Sequence, residues 1–141
     1  MEICEGQGWR LVVDPSRAPF TALIGGEGWA SELTDAELLA LQQATGRLIA
    51  QHAALADILM AEEAIDIELE LPIGDPRADD GGSLWLGLRG DRRSWSLQLV
   101  LTPEPGSRGL EGGWTAAASA AFAAALERLR PAEHGGGDQD C

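Results

Sequence analysis

The stretch SLWLGLRGDRRSWSLQLVLT, residues 83–102, decides the fold. Leucines occupy every second position at its start, and a second alternating apolar run begins at Trp95. A period of two is typical of half-buried β-strands. A register that places Leu88 opposite Trp95 puts the large apolar side chains on one face and leaves Gly90–Arg93 as a four-residue loop. The stretch, hereafter the central hairpin, therefore predicts two antiparallel strands.

Three further runs predict strands because they alternate or are short and apolar. They lie at residues 8–14, 20–24 and 65–73. The first two are separated by turn residues and predict another hairpin. The third run alternates isoleucine and leucine with acids, which predicts an apolar inner side and an acidic outer side. Its outward acids are Asp66, Glu68 and Glu70.

Two segments predict helices. Thr34 and Glu37 have the spacing of a capping box, and apolar residues recur at steps of three and four from there to residue 59. A helix over 34–59 would be long enough to cross the molecule. A second, alanine-rich helix is expected over 115–130, where Pro131 stops it.

The two halves of the chain share one plan, in which strands and a Gly-Trp motif precede a helix. The motifs are Glu27–Trp29 and Glu111–Trp114. The plan predicts an α+β fold in which antiparallel sheets are covered by two helices, with a pseudo-twofold repeat of a strands-then-helix unit. Chance recurrence of the motif is the alternative. The length suits a single domain over residues 1–130, followed by a disordered tail over 131–141.

The charge and composition exclude several functions. The chain carries 23 acids against 10 bases, a formal net charge of −13, and contains no lysine. Such a charge repels nucleic-acid backbones and anionic membranes, and the missing lysine excludes Schiff-base chemistry. No apolar run approaches the ~20 residues of a membrane span. The acidic, glycine-containing N-terminus lacks the pattern of a signal peptide, which predicts a cytoplasmic protein.

Catalytic and metal-binding motifs are missing from the sequence. The two histidines, His52 and His134, have no partners at metal-ligand spacing, and His52 lies on an apolar helix stripe that predicts a packed, hydrogen-bonded side chain. We therefore expect no enzymatic activity, no metal and no cofactor.

One set of residues could bind a ligand. The central hairpin concentrates positive charge at its tip, and a tryptophan lies on its outward face; these binding candidates are Trp85, Arg89, Arg92 and Arg93. Arginines can contact phosphates while a tryptophan stacks on a base. The outward acids of the neighbouring strand oppose this interpretation.

Several separated motifs carry a family resemblance: GQGWRLVVDPSR, FTALIGGEGWASELT, LMAEE, SLWL and RGLEGGW. With them, residues 6–130 resemble a family of small uncharacterised cyanobacterial proteins that is grouped with the Whirly-type single-stranded-DNA-binding transcriptional regulators. The resemblance implies a fold that repeats four strands and a helix, and it implies no catalytic residues. The acidic charge departs from what a Whirly-type binder needs.

We therefore predict a non-enzymatic, cytoplasmic protein-binding or assembly module whose partner is a protein. The alternative is single-stranded nucleic-acid binding through the face and tip of the central hairpin. A small-molecule pocket between a sheet and the long helix is a third hypothesis, which no particular residue supports.

Overall fold

The computed structural model describes residues 1–59, 63–74, 81–104 and 108–129. Within them the chain forms two four-stranded antiparallel sheets, each followed by a helix, which confirms the predicted α+β fold. Sheet A contains β1 (Glu2–Gly6), β2 (Trp9–Val13), β3 (Ala22–Gly26) and β4 (Trp29–Leu33), and leads to α1 (Asp35–Ala56). Sheet B contains β5 (Ile65–Pro72), β6 (Ser83–Gly90), β7 (Trp95–Thr102) and β8 (Leu110–Gly113), and leads to α2 (Ala116–Arg128).

The two Gly-Trp motifs do not occupy equivalent places in the two halves. Trp29 is the first residue of β4, whereas Trp114 follows β8 and directly precedes the N-cap of α2. The order of four strands and a helix still occurs twice along the chain. The pseudo-twofold relation and the grouping with Whirly-type proteins remain predictions. The predicted tail, residues 131–141, lies outside the described residues.

Three of the strands, β1, β4 and β8, were not predicted. Two-residue turns join β1 to β2 and β3 to β4, and the second turn residue is a glycine with φ of 80° in both, Gly8 and Gly28. A left-handed glycine allows the chain to reverse within two residues. The glycines at these turns therefore join strands, and β3 continues through Gly25 and Gly26, two residues beyond the predicted run 20–24.

The predicted register of the central hairpin was wrong by two residues. Leu88 pairs with Leu97, and Gly90 pairs with Trp95. The reason is a tight turn in which the Asp91 carboxylate accepts hydrogen bonds from the backbone N–H groups of Arg93 and Ser94, both at 2.9 Å. This turn extends both strands toward the tip. Since side chains alternate with a period of two, the same leucines still face the core.

The start of α1 agrees with the sequence. The Glu37 N–H donates to Thr34 Oγ1 at 3.2 Å, and the Thr34 N–H donates to Glu37 Oε1 at 2.8 Å, which confirms the capping box. The helix ends at Ala56, earlier than predicted. In the part of the chain that the structure describes, neither helix is long and apolar enough to cross a membrane.

Both helices pack between the sheets and join them into one core. α1 packs mainly on β5 and β6, while α2 contacts β7 of sheet B and β2 of sheet A. The helix that follows sheet A therefore covers part of sheet B. Buried residues of both sheets and both helices form a single apolar cluster.

Two tryptophans connect the sheets through exchanged hydrogen bonds. The Trp114 indole N–H donates to the Gly25 carbonyl at 2.9 Å, and the Trp29 indole N–H donates to the Gly113 carbonyl at 3.0 Å. Trp114 is buried and stacks on Phe122 with ring centroids 4.3 Å apart. Each indole therefore combines a large apolar contact with a satisfied donor, which orients one sheet relative to the other.

Candidate binding surfaces

The outward side of sheet B contains the face of the central hairpin. Alternation along the paired strands puts four acids and one arginine on this side, a net charge of −3, with Trp85 near the middle. The charged residues of this sheet B outer face are Asp66, Glu68, Glu70, Arg89 and Glu111. The surface around Trp85 is therefore acidic.

Trp85 is held by contacts within the protein. Its indole N–H donates to Glu68 Oε2 at 2.9 Å. The ring lies over Gly87, where a Cβ atom would be only 2.6 Å from Trp85 Cη2. The absence of a side chain at Gly87 thus lets the indole lie against the strand, with its polar end bound to an acid.

Arg92 contacts the end of α1. Its guanidinium donates to the carbonyl oxygens of Ala56 and Leu59, the latter at 3.3 Å. The last carbonyls of a helix have no partner within the helix, so this arginine satisfies that of Ala56, the last residue of α1, and opposes the negative end of the helix dipole; Leu59 lies three residues beyond the helix. Arg92 therefore fixes the hairpin tip to α1.

The four binding candidates do not form one surface. Arg89 lies opposite Asp66 in the strand register, and Arg93 is exposed in the turn. Trp85 is bound to Glu68, and Arg92 is directed to α1. Their role in ligand binding remains a prediction.

His52 packs at the same junction. It is 5% exposed, its Nε2 lies 3.3 Å from the Gly90 carbonyl oxygen, and its ring centroid is 6.2 Å from that of Trp95. This is the arrangement of a packed, hydrogen-bonded histidine. Among the described residues, no group of three or more histidine, cysteine or acidic side chains could hold a metal ion. His134 lies outside the described residues.

Sheet A has an apolar outer face that was not predicted. Ile3, Val12 and Leu23 lie side by side on β1, β2 and β3, directed away from the core. Ile3 is 46% exposed, and the neighbouring Phe20 is 45% exposed. We call this surface, Ile3, Val12, Leu23 and Phe20, the sheet A outer face. A shallow depression of about 470 Å³ adjoins it, lined by Phe20, Leu23, Ala30, Ser31 and Glu32.

The rim of the sheet A outer face carries equal numbers of acids and bases. Arg10 Nε lies 3.6 Å from a Glu5 carboxylate oxygen, and Arg17 Nη2 lies 3.9 Å from one of Glu32. A sequence signal for this face exists, because consecutive apolar residues in β2 and β3 leave apolar side chains on both sides of the sheet.

Comparison with known proteins identifies a family of unknown function. Residues 4–129 match the model of a domain of unknown function, DUF1818. No curated protein matches the chain. A crystal structure of a protein of unknown function from Prochlorococcus sp. NATL2A, described as from the DUF155 family, is 32% identical and superposes with a TM-score of 0.75. The match covers 90% of this chain and 97% of that one.

The similarity to an uncharacterised cyanobacterial protein is therefore confirmed, while the comparisons do not show a grouping with Whirly-type proteins. Because the match to the family model extends over nearly all the described residues, the chain belongs to the DUF1818 family.

Proposed function

We propose that this protein is a non-enzymatic assembly module that binds a second copy of itself through the sheet A outer face. The observation that supports this most is the row of Ile3, Val12 and Leu23 across three adjacent strands, with Phe20 beside it. A solvated side of an antiparallel sheet usually carries polar residues. Covering these apolar side chains removes their surface from water, which favours association by about 25 cal/mol per Å².

Charge favours a second copy as the occupant. The four rim residues, Glu5, Arg10, Arg17 and Glu32, sum to zero in a chain of net charge −13. A twofold dimer brings the same patch together from both subunits, so a patch with equal acids and bases can be complementary to itself. The sheet B outer face, with a net charge of −3, would repel its own copy. Charges interact mainly within ~8 Å at physiological salt. The charges at the rim of the sheet A outer face therefore affect association through this face more than the net charge of the whole chain does.

The size of the surface predicts a weak dimer. Four strands about 4.8 Å apart, each of five residues at about 3.3 Å, span on the order of 300 Å². A stable interface buries about 800 Å² per partner. We therefore expect reversible association that depends strongly on protein concentration.

Sedimentation velocity over a concentration series tests the proposal. We expect the average mass of the wild type to rise with concentration toward that of a dimer. Leu23→Glu should abolish this rise, because it would bury a charge against the partner's apolar row. Val100→Glu is the matched control, since Val100 is also half-buried on an outward strand position, but in sheet B.

Two results would count against the self-association. One is a wild type that stays monomeric at every concentration. The other is equal loss of association in Leu23→Glu and Val100→Glu, because a general effect of added negative charge would then explain both.

Single-stranded nucleic-acid binding through the central hairpin has weaker support. The sheet B outer face is acidic, Trp85 is bonded to Glu68, and Arg92 is bonded to α1. Backbone phosphates need a surface that neutralises them. The cytoplasmic location and the absence of catalysis remain predictions from the sequence.

A further inference from the structure

We infer that the free edge of β5 is a strand-addition site for a basic, amphipathic segment of another protein. β5 spans eight residues, Ile65–Pro72, and stands first in the order of sheet B. Among the described residues it pairs with β6 alone. An edge strand presents a row of backbone N–H and C=O groups that can pair with an incoming strand.

The inner side of β5 is incompletely covered. Ile67, Leu69 and Leu71 are half-buried, whereas the leucines opposite them on β6 are 0–2% exposed. The apolar inner side of sheet B therefore extends to β5, where its side chains remain partly exposed to solvent. An added strand with apolar side chains at alternate positions would bury the remaining surface.

The outer side of the same edge selects for positive charge. Asp66, Glu68 and Glu70 are all exposed and lie at alternate positions, so their backbone positions follow one another about 6.6 Å apart on one side of the strand. An added strand with lysine or arginine at alternate positions would place one cation opposite each acid. The Trp85 indole N–H holds Glu68 in place through its 2.9 Å hydrogen bond.

The other strand edges fit such a segment less well. β1 and β4 have five residues each, and β8 has four. None of the three carries acids at three consecutive outward positions. The length and the charge pattern together therefore point to β5.

Binding of a synthetic peptide to the full-length protein tests this inference. The probe is an eight-residue peptide of alternating lysine and valine, matched to the length of β5. The control peptide has the same residues in two blocks, so it carries the same charge without the alternation. Calorimetry should show binding of the alternating peptide at least about ten-fold tighter than that of the control.

Backbone methylation separates strand pairing from simple charge attraction. In an extended peptide, the N–H groups of the lysines point to one edge and those of the valines to the other. We expect N-methylation of one set to abolish binding and N-methylation of the other set to leave it largely intact, because only one peptide edge pairs with β5. Equal binding of both methylated peptides would overturn the inference, as would failure of the alternating peptide to bind.

Variants of the protein locate the site. The double substitution Glu68→Gln and Glu70→Gln should lower the affinity for the alternating peptide by at least about ten-fold. Glu27→Gln with Glu104→Gln removes the same charge from two other exposed positions and should have little effect. Equal weakening by the two pairs would contradict a site at β5. The inference does not depend on dimerisation, so Leu23→Glu should bind the peptide as well as the wild type.

Discussion

Buried polar side chains of this protein differ in whether they have hydrogen-bond partners. Ser119 is fully buried, accepts from the Leu97 N–H at 2.9 Å, and donates to the Trp114 carbonyl at 3.2 Å. Thr45 is 3% exposed in α1, and its hydroxyl has no partner among the described residues. A satisfied hydroxyl stabilises the fold, whereas an unpaired one costs the free energy of its desolvation.

Substitution of these two residues should have opposite effects. Thr45→Val removes the unpaired hydroxyl while keeping a β-branched shape of similar helix propensity, so we expect the free energy of unfolding to rise by about 1 kcal/mol. Ser119→Ala leaves the Leu97 N–H unpaired and should lower the free energy of unfolding by about 1–3 kcal/mol. Urea unfolding measures both. A Thr45→Val protein less stable than the wild type would show that the hydroxyl has a partner in solution.

The pKa of the Asp91 carboxylate is lowered in the folded protein. Hydrogen bonds from the backbone N–H groups of Ser94 and then Arg93 hold its pKa below its usual range. A lowered folded-state pKa means that the ionised carboxylate stabilises the turn above the unfolded pKa of about 3.9. This stabilisation is lost as the pH falls through the folded pKa.

We therefore expect the turn at the hairpin tip to loosen only in strong acid. An NMR titration should place the Asp91 pKa below the ~3.9 of an aspartate in an unfolded chain. Below the Asp91 pKa, the amide protons of Arg93 and Ser94 should exchange faster with solvent. Titration of Asp91 at an ordinary or raised pKa would mean that the turn differs in solution.

At the scale of the elements, the central hairpin shows what the sequence can predict. Its alternating leucines predicted both strands and their buried face, because the hydrophobic period directly reports which side of a sheet is covered. The register could not be predicted, because it depends on how the Asp91 carboxylate bonds two backbone amides. The strands β1, β4 and β8 were missed because their sequences, EICEG, WASEL and LEGG, show neither a continuous apolar run nor a sustained alternation of apolar and polar residues.

The contact between the hairpin tip and α1 could not be predicted from the sequence either. Arg92 and His52 come from distant parts of the chain, and both bond to backbone carbonyls, which leave no residue pattern. The arginine cluster consequently looked like a ligand-binding site, while one of its members caps a helix. Sequence patterns report side-chain chemistry well and side-chain-to-backbone contacts poorly.

Two neighbouring arginines provide a test of this cap. Arg92→Ala should lower the free energy of unfolding by about 1 kcal/mol, because the helix-end carbonyl of Ala56 and the following carbonyl of Leu59 lose a charged donor at an exposed site. Hydrogen exchange in the last turn of α1, around Ala53–Asp57, should become faster. Arg93→Ala removes the same charge from the adjacent exposed position and should leave both quantities unchanged. Equal effects of the two substitutions would contradict the capping role of Arg92.

At the scale of the whole molecule, the two outer faces differ in charge. Sheet B has an acidic outer face, and sheet A has an apolar one with a neutral rim. The overall charge follows from composition, and the acids that the sequence places on the outer side of the strand over 65–73 do lie on the same face as Trp85. The consecutive apolar residues of β2 and β3 signal apolar side chains on both sides of the sheet, but only the strand pairing shows that Ile3, Val12 and Leu23 are neighbours.

The acidic face leads to an expectation for nucleic acids. Fluorescence anisotropy with a labelled single-stranded oligothymidine at low salt should show no saturable binding, because phosphates would meet a surface of net negative charge. The nucleic-acid alternative predicts the reverse. Salt-sensitive binding that is lost when Arg89, Arg92 and Arg93 are all replaced by alanine would establish it.

Contacts between subunits provide the most direct test of the central claim, that two copies meet through the sheet A outer face. An isotope-filtered NOE experiment on an equal mixture of labelled and unlabelled protein detects protons close to each other across an interface. We predict intermolecular NOEs among the methyl groups of Ile3, Val12 and Leu23 and the ring of Phe20. Intermolecular NOEs confined to sheet B, or none at concentrations where the sample sediments as a dimer, would contradict the account.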